Sequence, residues 1–351
     1  MLLDLGDRAM KLGALVGMRD DPASFTRYVR RLEEAGVGYF WTGEAYTADA
    51  VSTLGFLAAV TTSAQIGSSI LPLYTRTPAL LAMTAVGLDK LSGGRFILGI
   101  GASGPQVIEG FHGVPYDAPL ARTEEIIDIC RSVWRRDRLE HAGARYQIPL
   151  AAGQGTGLGR PLKLIDHPVR SRIPVYIASL GPKNVELTAA IAEGWLPLHY
   201  WPDRAAQVWG SALLAGLARR QDDLPPLEIV AGGALAIGND LEHLREHARP
   251  MLALYFGGMG ARSRNFYNDV LRRYGYEQEA EQIQDAYLSG DKAAAAAMVP
   301  AELVDGMSLI GDKGFVRDRI AAYRESGVTI LNVQPVGPNG TADIETVSGW
   351  L

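Results

Sequence analysis

The chain has a single cysteine, Cys130, so no intrachain disulfide can form, and one thiol fits a reducing cytoplasm, the expected location. No run approaches the roughly 20 apolar residues that span a bilayer. The opening Met1–Asp7 lacks the basic and long apolar stretches of a secretion signal. No charge excess is present either. Lys and Arg total 34 against 39 Asp and Glu, a net charge of −5, which argues against nucleic acid or an anionic membrane as partner. Metal-ligand spacing is missing: there is no H-E-x-x-H and no C-x-x-C, so no metal is expected. A G-x-S-x-G elbow is absent too, which removes the serine-hydrolase reading. What is there is the balance of a globular protein with a sizeable core, 47% hydrophobic and 21% charged over 351 residues.

Short apolar runs alternate with segments of helical period. The runs are Leu12–Val16, Tyr39–Thr42, Gln65–Leu71, Phe96–Ile100, Val175–Ala178, Trp195–His199, Glu228–Ile237 and Thr329–Val333. Helical periods fall at 22–35, 51–63, 77–91, 118–135, 182–193, 202–219, 240–256 and 313–326. Near-continuous apolar or small runs suit parallel strands covered on both faces. Eight strands alternating with helices predict an α/β fold, a (β/α)8 barrel, with an open doubly wound sheet as the alternative. Gly36, Gly194 and Gly327 each stand just past a helical segment, where a left-handed residue turns the chain into the next strand. Asp20-Asp21-Pro22, Thr77-Pro78 and Gly181-Pro182 read as helix starts. Residues 136–172 and 258–311 depart from the alternation and read as insertions in one domain spanning 1–351.

Barrels carry their sites at the C-terminal strand ends. Gly101-Ala102-Ser103-Gly104-Pro105 follows the fourth strand, and its small residues let backbone approach a flat ligand or a phosphate, although a tight turn needs the same residues. After the fifth strand, Ala178-Ser179-Leu180-Gly181-Pro182-Lys183 offers backbone N–H groups, a hydroxyl and an ammonium for an anion, although a plain helix cap reads the same way. Glu44 follows the second strand, as an acid/base, a cofactor hydrogen-bond acceptor or a solvated loop acid. His112 and His199 follow the fourth and sixth strands. Trp41, Tyr46, Tyr74, Phe111, Tyr200 and Trp201 gather near strand ends and could wall a pocket, while each alone reads as packing. Cys130, in an apolar run, reads as a small buried hydrophobe, and Ser68-Ser69, mid-strand, as structural.

Five blocks together carry a resemblance. They are 70–84 (ILPLYTRTPALLAMT), 88–101 (LDKLSGGRFILGIG), 101–113 (GASGPQVIEGFHG), 181–187 (GPKNVEL) and 254–260 (LYFGGMG). In order along the whole chain, they resemble the luciferase-like monooxygenase superfamily, in its branch using the deazaflavin coenzyme F420. Methylenetetrahydromethanopterin reductase is a well-known member of that branch. The resemblance implies a (β/α)8 barrel with insertions, commonly a homodimer, with F420 at the C-terminal face. It implies a non-proline cis peptide at Ser69-Ile70 backing the cofactor ring. Gly101, Ala102, Ser103 and Gly104 would lie along the cofactor. Ala178, Ser179, Leu180, Gly181, Pro182 and Lys183 would hold its phosphate end. Glu44 would stand near the ring as acid/base. By their places near strand ends, Tyr46, Tyr74, His112 and His199 are expected to line the substrate pocket. The implied reaction is hydride transfer between F420 and an unidentified small organic substrate. The alternatives are an FMN-dependent monooxygenase using oxygen and a non-catalytic cofactor-binding barrel.

Overall fold

Each apolar run yields a strand, and each strand is followed by a helix. The strands are β1 Lys11–Leu15, β2 Tyr39–Thr42, β3 Gln65–Ser68, β4 Phe96–Gly101, β5 Val175–Ala178, β6 Gly194–Trp195, β7 Glu228–Ala231 and β8 Ile330–Pro335. The helices that alternate with them are α1 Pro22–Glu34, α2 Ala50–Val60, α3 Pro78–Leu91, α4 Pro119–Trp134, α5 Pro182–Ile191, α6 Ala205–Leu217, α7 Glu242–Ala253 and α8 Lys313–Glu325. This computed structural model describes residues 9–18 and 21–351. The expectations for Met1–Asp7 and for Asp20 lie outside them.

The described residues form two compact units. One comprises 9–16, 21–39 and 179–351, and in it β6, β7, β8 and β1 form a parallel array. Its registers pair Glu228 with Gly194, Val230 with Ile330 and Lys11 with Ile330. The other comprises 17–18 and 40–178, where β3, β4 and β5 run parallel, pairing Ile66 with Phe96 and Leu98 with Val175. All six residues of β4 are buried, as a strand covered on both faces requires.

Local chemistry explains the element ends. Asp21 caps α1 by accepting from the N–H groups of Ala23 and Ser24, with Pro22 in the first turn. Gly36 and Gly327 adopt φ +108° and +93°, the left-handed exit that suits glycine. Gly194 differs from that expectation: it is the first residue of β6 and needs no left-handed turn. The block 88–101 is a structural joint. Asp89 is buried, accepts from Arg170 Nε at 3.2 Å and is also bonded to Arg170 Nη2, while its carbonyl takes the Gly94 N–H at 2.8 Å. Arg95 donates to Ser92 O at 2.7 Å and Thr61 Oγ1 at 2.9 Å, tying the end of α2 to the start of β4.

Three strands end sooner than their apolar runs. The run 65–71 breaks at Ser69-Ile70 and resumes as Leu71–Pro72. The run 195–199 stops at Trp195, because Pro197 follows and His199 takes φ +55°. The run 228–237 splits into β7 and a strand at Ala234–Ile237. There Gly232 and Gly233 let other backbone come close: an added Cβ would lie 2.1 Å from Asn332 O and from Met307 O, respectively. The segment after α7 widens into a π-helical turn, Leu254–Gly258. The insertion 258–311 holds four helices and an unforeseen strand, Leu309–Gly311, paired with Ala234–Ile237. The insertion 136–172 holds a small hairpin, His141–Ala142 against Gln147–Ile148. Cys130 is fully buried, which pushes its thiol pKa up. Among the described residues no helix is long and apolar enough to cross a membrane.

Candidate functional site

In the unit carrying β3 to β5, the strand ends form an apolar floor. Ser69 N donates to Thr42 O at 2.7 Å, and Glu44 N to Ile70 O at 3.2 Å. These bonds hold the break in the third strand against the turn after β2. The Ser69-Ile70 peptide is cis, at the position the resemblance implies. Gly43 sits between the two bonds, where a Cβ would lie 2.1 Å from Ser69 O and 2.7 Å from Ile70 N. At Gly101 a Cβ would meet Ala178 Cβ at 3.2 Å and Ile70 Cδ1 at 3.3 Å. Ile70, Gly101 and Ala178 therefore come together, with the glycine keeping the surface low. Ser103 takes φ +58°, an uncommon value for a side-chain-bearing residue. Ser68, the other member of the mid-strand pair, is structural: its hydroxyl bridges Gly99 N and O, both at 2.8 Å.

Glu44 is not a free acid. Its carboxylate pairs with Arg76 (Nη1 to Oε1, and Nη2 to Oε2 at 3.1 Å) and accepts the Ala50 N–H at 2.9 Å. The pair is largely buried. Both oxygens are occupied, so as it stands Glu44 anchors Arg76 and the start of α2. The Arg76 partner was not recognised in the sequence, because the two residues are 32 positions apart. Tyr74 is also committed: its hydroxyl donates to Asp117 O at 2.9 Å, and burial pushes its pKa well up. Its ring lies tilted against Tyr116 at 5.2 Å and under the Arg122 guanidinium at 5.5 Å. Tyr46 and Phe111 form an exposed pair with centroids 6.3 Å apart, and Phe111 meets His112 edge-on at 5.2 Å. His112 Nε2 is enclosed and has no hydrogen-bond partner among the described residues. Tyr46 and His112 are thus joined through Phe111, while Tyr74 belongs to the 116–122 cluster.

In the other unit, the loop after β5 borders a cavity of about 350 Å³ lined by Gly181, Pro182, Phe266, Asp269, Arg272 and Arg273. The Ser179 hydroxyl faces inward, 2.8 Å from Thr188 Oγ1. Thr188 also bonds Asn184 O at 2.7 Å, so Ser179 is tied into the first turns of α5. Leu180 O accepts from Trp209 Nε1 and from Arg273 Nη2, each at 2.9 Å. Burial lowers the Arg273 pKa, with Asp269 opposing. Lys183 is exposed, and the cavity's cations are Arg272 and Arg273 from helix Phe266–Arg273. Both lie in the insertion, where no period in the sequence ties them to a strand end.

His199 also belongs to this unit. Its ring packs on Tyr255, Phe256 and Tyr267 at 4.6, 5.1 and 5.8 Å, and its Nε2 is enclosed without a partner. Burial holds the imidazole down at about 3. An unfolded histidine takes a proton below about 6.5, and the folded one refuses it until about 3, so acidification between those values favours unfolding. Urea midpoints at pH 7 and pH 5 check this: wild type should lose stability at pH 5, and His199→Phe should lose less. Tyr200 and Trp201 are core residues rather than pocket walls. Tyr200 stacks on Trp209 at 5.6 Å, and its hydroxyl donates to Ser326 O at 3.1 Å.

The luciferase-like monooxygenase family model matches residues 4–329, and the chain belongs to that family. An inferred coenzyme F420-dependent oxidoreductase of Mycobacterium tuberculosis is 42% identical over 336 residues, covering 93% of this chain and 95% of the relative. The 5,10-methylenetetrahydromethanopterin reductase of Archaeoglobus fulgidus is 27% identical over 328 residues, covering 91% of this chain and 92% of the relative. Among solved structures, the coenzyme F420 dependent tetrahydromethanopterin reductase of Methanopyrus kandleri superposes with a TM-score of 0.78 at 23% identity, covering 97% of this chain and 98% of that one. The fold is the (β/α)8 barrel of this family.

Proposed function

We propose that the chain is a coenzyme F420-dependent oxidoreductase that moves a hydride between the deazaflavin and a small organic substrate. The observation that carries this reading is the floor of Ile70, Gly101 and Ala178, which Gly43 allows to sit close behind the strand ends. A flat ring system fits a surface from which side chains have been removed. The names of the relatives point the same way. Arg272 and Arg273, with the backbone N–H groups of Gly181 and Lys183 at the start of α5, suit the phosphate and carboxylate groups of such a cofactor. When bound, a deazaflavin supplies carbon where a flavin has N5, which favours two-electron hydride chemistry over reaction with oxygen.

The chain's own residues then do three things. The floor and the Gly101–Gly104 loop orient the ring. Tyr46, Phe111 and His112 shelter one side from water. Glu44 acts as a positioning residue: it fixes Arg76, whose guanidinium is the better candidate for orienting a ligand oxygen. The resemblance also supports a homodimer, and the single thiol fits a reducing cytoplasm.

Titrating the pure protein with F420 and with FMN, followed by cofactor fluorescence, tests the proposal. Saturable binding of F420 with FMN at least tenfold weaker is expected. Preferred binding of FMN, with oxygen consumed when it is reduced, would favour the monooxygenase reading. F420 that binds but is never turned over by a broad substrate panel would favour a binding protein without catalysis.

A further inference from the structure

Three features converge on His199. It bears a side chain at φ +55°, outside the ordinary regions for such a residue. Its ring is boxed by Tyr255, Phe256 and Tyr267. One of its nitrogens, Nε2, is enclosed and unpartnered. A buried N–H without an acceptor is rarer than a bare lone pair, which favours the proton of the neutral ring on Nδ1 rather than on the enclosed Nε2. His199 therefore presents a single N–H donor from an aromatic setting.

The setting is built and held. Tyr255 and Phe256 come from the π-helical turn Leu254–Gly258, a form that recurs at functional sites. Asn265 Nδ2 donates to Tyr255 O and Phe256 O, each at 3.1 Å, and Asn268 Nδ2 to Phe256 O at 2.9 Å and Ala280 O at 2.7 Å. Gly257 and Gly258 let the turn press on Tyr287, where a Cβ would lie 2.5 and 2.3 Å from that side chain. A satisfied polar network of this kind fixes side chains above it. The rings packed on His199 are those of Tyr255, Phe256 and Tyr267, an aromatic setting that suits a neutral group better than an ion.

We propose that His199 is a substrate-recognition residue whose Nδ1–H donates to a neutral oxygen, a carbonyl or a hydroxyl, on an otherwise apolar ligand. The choice of ketone and alcohol rests on the oxidoreductase reading, since hydride transfer interconverts them. The donor itself does not depend on that reading.

Nitrogen-15 histidine NMR on the full chain, with His199 assigned by its loss in His199→Phe, tests the inference. The expected spectrum shows the Nδ1-protonated neutral tautomer. Cyclohexanone or cyclohexanol should shift the Nδ1 resonance, and cyclohexanecarboxylate should not. Saturation-transfer measurements should show cyclohexanone bound at least tenfold more weakly by His199→Phe, with partial recovery in His199→Asn. Thermal melting of the same variants keeps a folding defect separate. An Nε2-protonated ring, no response to either neutral probe, or equal affinity in His199→Phe would overturn the proposal. F420 titration of the wild type is scored apart, so a failure there counts against the cofactor and leaves this donor standing.

Discussion

Gly43→Ala should cost the protein both stability and F420 affinity. The added Cβ would lie 2.1 Å from Ser69 O and 2.5 Å from its carbonyl carbon. These are backbone atoms, already fixed by the Ser69 N bond to Thr42 O and the Glu44 N bond to Ile70 O. No side chain can swing away, so the strand break itself must move. Overpacking of this kind costs about 1–3 kcal/mol. The displaced Ile70 then leaves its place beside Gly101, and F420 affinity should fall at least tenfold. Gly55→Ala is the control: nothing lies within 4 Å of a Cβ there, in the middle of α2. That change should be neutral or stabilising by about 0.5–1 kcal/mol. Urea midpoints and F420 titration of both variants check the pair. A Gly43→Ala protein that matches wild type in both would contradict the close approach.

Asp89→Ala should be the most destabilising single change in the joint between α3 and β4. The Asp89 side chain is 1% exposed and Arg170 is 29% exposed, so the pair is shielded on the acid side. Removing the carboxylate takes away the counter-charge of a guanidinium that keeps only its bond to Phe96 O, and frees the Phe96 N–H, which sits 3.4 Å from Asp89 Oδ1. Breaking a buried pair this way costs about 3–5 kcal/mol. The neighbouring Lys90–Asp166 pair makes the contrast, with side chains 56% and 52% exposed. Asp166→Ala should cost at most about 1 kcal/mol. Denaturation midpoints that rank the two variants equally would contradict this assignment. Because the joint lies away from the floor residues, Asp89→Ala should change F420 affinity far less than it changes stability.

The strand–helix alternation was legible because the strands are apolar on both faces and the helices are not, while closure of the sheet into a barrel came from the resemblance. That contrast survives in one sequence, and all eight runs became strands. What periodicity missed were places where backbone meets backbone. Gly232 and Gly233 split a run that reads as one strand, since the approach of Asn332 and Met307 comes from distant chain. The early end of β6 is the same kind of event, set by Pro197 and the turned His199. The loops at 101–104 and 178–183 were marked by small residues, and the cis peptide at Ser69-Ile70 followed from the resemblance alone. Side-chain partnerships were the least legible part. Nothing in the local sequence marks Arg76 as the partner of Glu44, or Thr188 as that of Ser179. Arg272 and Arg273 sit in an insertion whose helices have no counterpart in the repeating pattern. Spacing rules see neighbours within a turn or two; these pairs are made by the fold.

The central claim is where the cofactor ring lies, and a crystal structure of the protein soaked with F420 tests it most directly. The ring should lie against Ile70, Gly101 and Ala178. A ring bound elsewhere, with the floor still bare, would contradict the claim.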